Sequence, residues 1–182
     1  MDLASIVNNI FGGLTVLAQV LLLWFLVSWL FGKESSSATS FFRSNGVVIA
    51  FVASALAMLG SLTYSEILGY EPCKLCWIQR ILMYPQVLIL GMALWSKHRG
   101  NRALIDLSFV LSIIGACVAA YHYLLQLGVA PAIPCSAIGY SASCSQRFVL
   151  QFGYITIPLM AFSAFLLIIV SLYTIRKQHP TS

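Results

Sequence analysis

The residues of this chain that are best suited to chemistry are two pairs of cysteines. Cys73 and Cys76 form a C-x-x-C motif directly after a proline, and Cys135 and Cys144 follow in a segment that contains Gly, Ser and Pro. If a helix begins at Cys73, the i, i+3 spacing places both sulfurs on one face, close enough to bridge. The partial positive charge of a helix N-terminus favours a thiolate over a thiol. The motif therefore favours a redox-active dithiol.

Two other interpretations of these cysteines stay open from spacing alone. The four residues could form two static disulfides, or they could be the ligands of a zinc ion. Eight residues separate Cys135 from Cys144, which is unlike the usual close spacing of a second zinc-binding pair, so we expect no metal site. Cys117, the fifth cysteine, lies within an apolar run and is interpreted as a packing residue, because free cysteines are among the most buried residues.

Three polar residues accompany the cysteines within apolar segments. Arg80 follows Cys76 by four residues and lies on the same helix face, where an unpaired charge in the bilayer costs at least ~2.5 kcal/mol. We expect an anionic partner, either the Cys76 thiolate or the oxygen of a reduced quinone, with snorkelling to the headgroups as the alternative. Gln79 could donate a hydrogen bond to the same oxygen. His122 is a candidate proton relay or a partner of Glu66.

The elements that position these residues are membrane spans. The chain has 182 residues, of which 60% are hydrophobic and 8% charged, and its mean hydropathy of +0.91 excludes an ordinary soluble domain. A span needs roughly 20 apolar residues, and five uncharged or nearly uncharged runs qualify: Ile10–Phe31, Val47–Ser65, Cys73–Trp95 with a kink at Pro85, Leu107–Leu127 and Phe152–Ile175. The stretch Gly32–Asn45 is predicted to be a polar connector.

The basic residues predict the orientation of the spans. The net charge of +5 would suggest nucleic acid as a partner of a soluble protein, but here most of the bases flank spans and we expect no nucleic acid. The positive-inside rule then places three segments in the cytoplasm, and both cysteine loops outside it. The residues that decide this are Lys33, Arg43, Lys97, Arg99, Arg102, Arg176 and Lys177. Lys74, Arg80 and Arg147 fall on the outer side against this trend, which favours a functional role for them.

One long stretch of the sequence resembles a known family. Residues 64–80 read YSEILGYEPCKLCWIQR and are followed by ILMYP, which ends at Pro85. This combination resembles the DsbB family of disulfide-forming membrane proteins, and within it the BdbC-type branch. The motifs YHY at 121–123 and FGYITIP at 152–158 strengthen the resemblance, which covers about Val47 to Ile175.

The resemblance implies a fold and a function. The fold is an all-α integral membrane protein, with a DsbB-type four-helix transmembrane bundle at residues 46–182 and an extra N-terminal transmembrane helix with its connector at residues 1–45. The implied protein lies in the bacterial cell membrane. It is a thiol:quinone oxidoreductase that reoxidises a thioredoxin-fold oxidase of the DsbA or BdbD kind and reduces ubiquinone or menaquinone from the membrane quinone pool.

The resemblance also implies roles for individual residues. Cys73 and Cys76 would be the quinone-proximal pair, with Cys76 nearest the ring. Cys135 would form the mixed disulfide with the partner, and Cys144 would be its mate. The predicted quinone-binding residues are Arg80, Gln79 and His122.

Two other classes of protein are alternatives to this function. They are an enzyme similar to vitamin K epoxide reductase and a non-enzymatic membrane protein with structural disulfides.

Overall fold

The structure is a computed structural model that describes residues 2–31, 37–95, 101–130 and 143–177. Within these ranges the regular structure is helical, apart from one isolated β-bridge between Gln151 and Ile155. The helices are α1 (Leu3–Phe31), α2 (Ser37–Leu62), α3 (Lys74–Trp95), α4 (Arg102–Gln126) and α5 (Ile157–Arg176). All five are long and apolar enough to cross a membrane. The predicted all-α membrane fold is confirmed.

Most helices begin at a different residue from the predicted spans, and α1 and α4 begin earlier, at Leu3 and Arg102. The predicted connector Gly32–Asn45 is wrong in its second part, because α2 begins at Ser37 and buries Phe42 completely; residues 32–36 lie outside the described residues. The fifth helix begins at Ile157 and not at Phe152. Phe152 and Gly153 instead have positive φ values of 52° and 80°, which close the tight turn between the bridged residues.

Helices α2, α3, α4 and α5 form a four-helix bundle, and α1 lies outside it. Within the bundle each helix contacts two neighbours, whereas α1 packs on the seam between α2 and α5. Phe165 at the centre is fully buried, and its ring lies so close to Gly115 that a Cβ there would approach the ring to 2.3 Å. A small residue in α4 thus lets a large ring of α5 fill the space between the helices.

An aromatic stack holds the two cysteine-bearing segments together at one end of the bundle. After Leu62, α2 continues as one π-helical turn, Thr63–Ile67, a feature that is often found near functional sites. Tyr64 in this turn stacks on Tyr70, with ring centroids 6.1 Å apart, and Tyr70 stacks on Phe148 at 5.1 Å. Tyr64 is only 4% exposed, so its ring lies in the interior of the protein and does not face the membrane surface. The stack joins the loop before Cys73 to the segment after Cys144.

Candidate redox site

The C-x-x-C cysteines lie at the head of α3 as the sequence predicts. Cys73 immediately precedes the helix, and its carbonyl accepts the backbone N–H of Trp77 at 3.1 Å. The two sulfurs are 3.2 Å apart, and both cysteines are free thiols. The backbone N–H of Cys76 also donates to Cys73 Sγ at 3.4 Å. A disulfide between the pair therefore needs only a small further approach of the sulfurs.

The surroundings of Cys73 favour its thiolate. The hydrogen bond from the Cys76 thiol, supported by His122 and by the Cys76 backbone N–H, lowers the pKa of Cys73 to about 4, although burial opposes this change. Cys73 is only 3% exposed, and His122 Nε2 lies 3.7 Å from its sulfur. A buried thiolate that is held by hydrogen bonds is the nucleophile of thiol–disulfide exchange. Of the two sulfurs, Cys73 is thus the stabilised thiolate, and it lies on the His122 side.

His122 is fixed by a hydrogen bond at each ring nitrogen. Nε2 lies 3.1 Å from the Cys144 carbonyl, and because a carbonyl only accepts, Nε2 must carry the proton. In the neutral ring Nδ1 is then the acceptor, and Gln79 Nε2 donates to it at 3.0 Å. Glu66 is exposed and accepts a hydrogen bond from Ser65. The alternative partnership between His122 and Glu66 is therefore wrong, and the ring joins Gln79, Cys73 and the Cys144 backbone.

The second cysteine segment lies directly against Cys73. Cys144 is disulfide-bonded and 2% exposed, and it belongs with Cys73 and Leu125 to one buried cluster. Cys135, its mate in the sequence prediction, lies outside the described residues. The free dithiol and a disulfide sulfur are thus neighbours in one closed environment, which is the arrangement that exchange between two pairs requires.

The end of α4 clamps the segment that follows Cys144. Gln126 Nε2 donates to the Gln146 carbonyl at 3.0 Å, and Arg147 Nε donates to the Gln126 carbonyl at 2.8 Å. A guanidinium at this position also complements the partial negative charge of the helix C-terminus. Arg147 was indicated by its place as a base on the outer side, but no sequence pattern indicated Gln126.

A cavity of about 390 Å³ opens on the other side of the dithiol. Its wall near the N-terminal end of α3 contains Cys76, Gln79 and Arg80, and most of the remaining wall is apolar. Arg80 is held there by Ser61 of α2, because Nε donates to Ser61 Oγ at 2.8 Å and Nη2 donates to the Ser61 carbonyl at 3.1 Å. The guanidinium also lies over the Trp77 ring, 5.3 Å from its centroid. No sequence pattern indicated Ser61, because it lies in another helix at no regular spacing from Arg80.

The predicted quinone-binding residues divide between the two sides of the dithiol. Arg80 and Gln79 line the large cavity, whereas His122 lies in a small cleft with Cys73, and Cys76 borders both. A ring with polar oxygens and an apolar tail fits the large cavity, since hydrogen-bond donors and a thiol are at one end and apolar side chains surround the rest. A direct contact of His122 with a quinone stays a prediction.

Two further observations concern metal binding and Cys117. Ligand atoms of Cys73, Cys76 and His122 lie within 4.8 Å of one another, so these three residues could hold a metal ion such as zinc. Cys144, which could have been a fourth ligand, is disulfide-bonded.

Cys117 is exposed on the surface of α4, so its interpretation as a buried packing residue is wrong. In a membrane span, an apolar side chain is equally stable against lipid.

The fold and the site define a class, that of multi-span membrane proteins with redox-type cysteines at one end of a helical bundle. Within this class, residues 43–175 match the family model for disulfide bond formation protein DsbB. The chain belongs to this family, and its role is in disulfide bond formation. Helix α1 lies wholly outside the matched residues.

Curated relatives agree with the family assignment. Disulfide bond formation protein C of Bacillus subtilis (strain 168) is 42% identical over 131 residues, which cover 71% of this chain and 91% of the relative. Probable disulfide formation protein C 1 of Bacillus anthracis is 38% identical over 147 residues, covering 81% of this chain and 99% of the relative. No solved structure matches the chain significantly.

Proposed function

We propose that this protein is a thiol:quinone oxidoreductase that reoxidises a DsbA- or BdbD-like partner and passes the electrons to ubiquinone or menaquinone. One observation carries the proposal: the two sulfurs of the dithiol have different neighbours. Cys73 lies beside His122 and Cys144. Cys76 borders the same cleft but, unlike Cys73, it also lies in the wall of the cavity that holds Arg80. The dithiol thus separates a protein-facing disulfide from a site for a membrane-soluble acceptor.

The exchange reactions follow from this arrangement. A partner thiolate attacks the Cys135–Cys144 disulfide at Cys135, and the second partner thiol resolves the mixed disulfide, so that the partner leaves oxidised and Cys135 and Cys144 are thiols. Cys144 then attacks an oxidised Cys73–Cys76 pair at Cys73 and releases Cys76, and Cys135 resolves the resulting bridge. The second pair is a disulfide again, and two electrons now reside on Cys73 and Cys76.

The residues around the cavity prepare the last transfer. A bound quinone would accept two electrons and two protons, which restores the Cys73–Cys76 disulfide. Arg80 and Gln79 would hold a quinone oxygen by hydrogen bonds, because both side chains line the cavity beside Cys76. The contacts of Arg80 with Ser61 fix the guanidinium before any ligand binds, which reduces the ordering cost of binding.

The proposed location is the bacterial cell membrane, with the cysteine-bearing end outside the cytoplasm and the C-terminus inside. The positive-inside distribution of the bases supports this orientation. The ion pair between Arg176 and Asp106, 2.7 Å from Nε to Oδ1, joins α5 to α4 at the opposite end from Cys73. Reporter fusions after residues 98 and 177 should report a cytoplasmic location, and activity of an exported reporter at either fusion would contradict the orientation.

The test of the proposed function is quinone reduction by the purified protein in detergent, supplied with a reduced partner of the DsbA or BdbD kind. We expect turnover in the unmodified protein and in Cys117→Ser, which changes a cysteine remote from the site. Cys76→Ser should abolish quinone reduction, because no thiol then adjoins the cavity. The proposal fails if neither quinone is reduced, or if the Cys76→Ser variant keeps the activity of the Cys117→Ser control.

A second candidate function rests on the grouping of Cys73, Cys76 and His122. A zinc ion bound by these residues would make the protein a metal-stabilised scaffold without redox turnover. Metal analysis of the purified protein distinguishes the two candidates. A stoichiometric zinc content that His122→Leu abolishes would favour the scaffold, whereas metal-free protein that reduces quinone would exclude it.

A further inference from the structure

We propose that α1, the helix outside the family match, forms one wall of the cavity and holds the apolar tail of the bound quinone. This inference rests on the proposed function and adds to it the element that determines affinity for the tail. Five residues of α1 line the cavity at the helical spacing of one face, namely Phe11, Leu14, Leu17, Ala18 and Leu21. The four-helix bundle by itself would leave this side of the cavity open to the bilayer.

The cavity has the shape that a ring with a long tail requires. Along α2 its lining residues extend from Val48 to Tyr64, which corresponds to a rise of about 24 Å. The polar side chains that can donate hydrogen bonds, among them Arg80, Gln79 and Ser61, lie near one end. Between Val48 and Ala57 the α2 lining residues are all apolar, and the α1 residues opposite them are apolar as well. A quinone ring at the donor end would therefore direct its tail between α1 and α2.

Specific contacts dock α1 onto the bundle. The Phe11 ring covers Gly60, where a Cβ would approach it to 2.9 Å, and Phe25 meets Phe42 edge to face with centroids 5.3 Å apart. Gln19 provides a polar contact in mid-helix, since its Nε2 donates to Ser163 of α5 at 3.3 Å. Interhelical contacts of this kind hold membrane helices together without a hydrophobic driving force. These contacts hold α1 in a defined position against the bundle, so its cavity-facing side is a fixed part of the cavity wall.

The antiparallel arrangement of α1 and α2 determines which α1 residues lie beside the tail. Because Phe11 lies over Gly60 and Phe25 against Phe42, Leu21 lies near the level of Ile49. This level is about 18 Å from Ser61 along α2, farther than a quinone ring reaches. Leu21 therefore contacts only the tail, whereas Leu23 is 59% exposed on another face of α1 and does not line the cavity.

The experiment compares Leu21→Trp with Leu23→Trp, which makes the same substitution outside the cavity. Equilibrium binding to the purified protein is measured with a long-tailed menaquinone and with a short-chain analogue. In Leu21→Trp we expect the dissociation constant of the long-tailed quinone to rise about ten-fold, because the indole occupies the path of the tail. Binding of the short-chain analogue should be unchanged, and Leu23→Trp should bind both quinones as the unmodified protein does.

A second measurement uses the unmodified protein, so it does not depend on the folding of a variant. A quinone with a photoreactive group midway along its tail is irradiated in the complex, and the labelled peptides are identified by mass spectrometry. We expect label on α1 between Leu14 and Leu21. Label confined to α2, α3 or α5 would overturn the inference and leave lipid as the occupant of the α1 side. Absence of saturable binding of either quinone would instead refute the proposed function itself.

Discussion

Replacement of His122 by leucine should change the pH at which Cys73 loses its thiolate. The substitution places an apolar side chain of similar length in a site that is 1% exposed, and it removes the donor at Nε2 that lies 3.7 Å from the sulfur. It leaves the hydrogen bond from Cys76, which is the largest cause of the low pKa of Cys73. The thiolate should therefore be weakened and not abolished.

The size of the change in the pKa of Cys73 follows from the geometry of the contact with His122. A hydrogen bond to a charged group contributes about 1.5–3 kcal/mol, and the long contact, which is shared with the Cys144 carbonyl, argues for about 1.5 kcal/mol. Since one pKa unit corresponds to about 1.4 kcal/mol, the pKa of Cys73 should rise by about one from its value of about 4. A thiol with a lowered pKa loses reactivity as the pH falls through that pKa, so the loss should begin at higher pH in His122→Leu.

Residue-resolved alkylation provides the measurement. The rate of modification of Cys73 by iodoacetamide is followed by mass spectrometry across the acid range in partly reduced protein. At neutral pH both proteins keep Cys73 almost fully ionised, so the thiolate fraction should hardly change there and the acid limb of the profile carries the information. The matched control is Gln126→Met, which removes a hydrogen bond to the same loop at Gln146 without touching Cys73.

Either of two results would refute the proposed effect of His122 on the pKa of Cys73. The first is an unchanged midpoint in His122→Leu, which would mean that the His122 contact does not stabilise the thiolate. The second is an equal shift in Gln126→Met, which would mean that displacement of the Cys144 segment and not the lost N–H donor changes the pKa of Cys73.

Two further predictions concern the cavity and the bundle. Arg80→Met should raise the KM for quinone about ten-fold, and Arg80→Lys should raise it less, because lysine keeps the charge but loses the forked contact with Ser61. The KM values are measured by steady-state kinetics at a fixed concentration of the reduced partner. Equal KM values in the unmodified protein and both variants would contradict the role of Arg80. Gly115→Ala should destabilise the protein by about 1–3 kcal/mol, since its Cβ meets the Phe165 ring at 2.3 Å, whereas Gly13→Ala, with open space around its Cβ, should be neutral or slightly stabilising. Thermal unfolding in one detergent compares the two glycine variants, and a similar melting temperature for both would contradict the packing argument.

Local properties of the chain were predictable from the sequence. The five spans follow from apolar runs, because crossing the hydrocarbon core takes about 20 apolar residues and requires a helix that pairs every backbone N–H and C=O group. The helix head at Cys73 follows from its place at the start of the third apolar run, and once a helix begins there the i, i+3 spacing puts both cysteines on one face. The start of α2 was missed, because the polar residues after Ser37 have the composition of a connector and only the burial of Phe42 against Phe25 shows that they continue the helix.

Only the tertiary structure decided how the site is assembled. The different neighbours of Cys73 and Cys76, the contact of Arg80 with Ser61 and the place of His122 beside Cys73 all join residues of different helices. Such contacts depend on how each helix is rotated and how deeply it sits against the next, which periodicity within one helix leaves open. The cavity wall supplied by α1 belongs to the same category. An apolar helix face in a membrane protein is compatible with lipid, with a neighbouring helix or with a ligand, and only packing distinguishes among them.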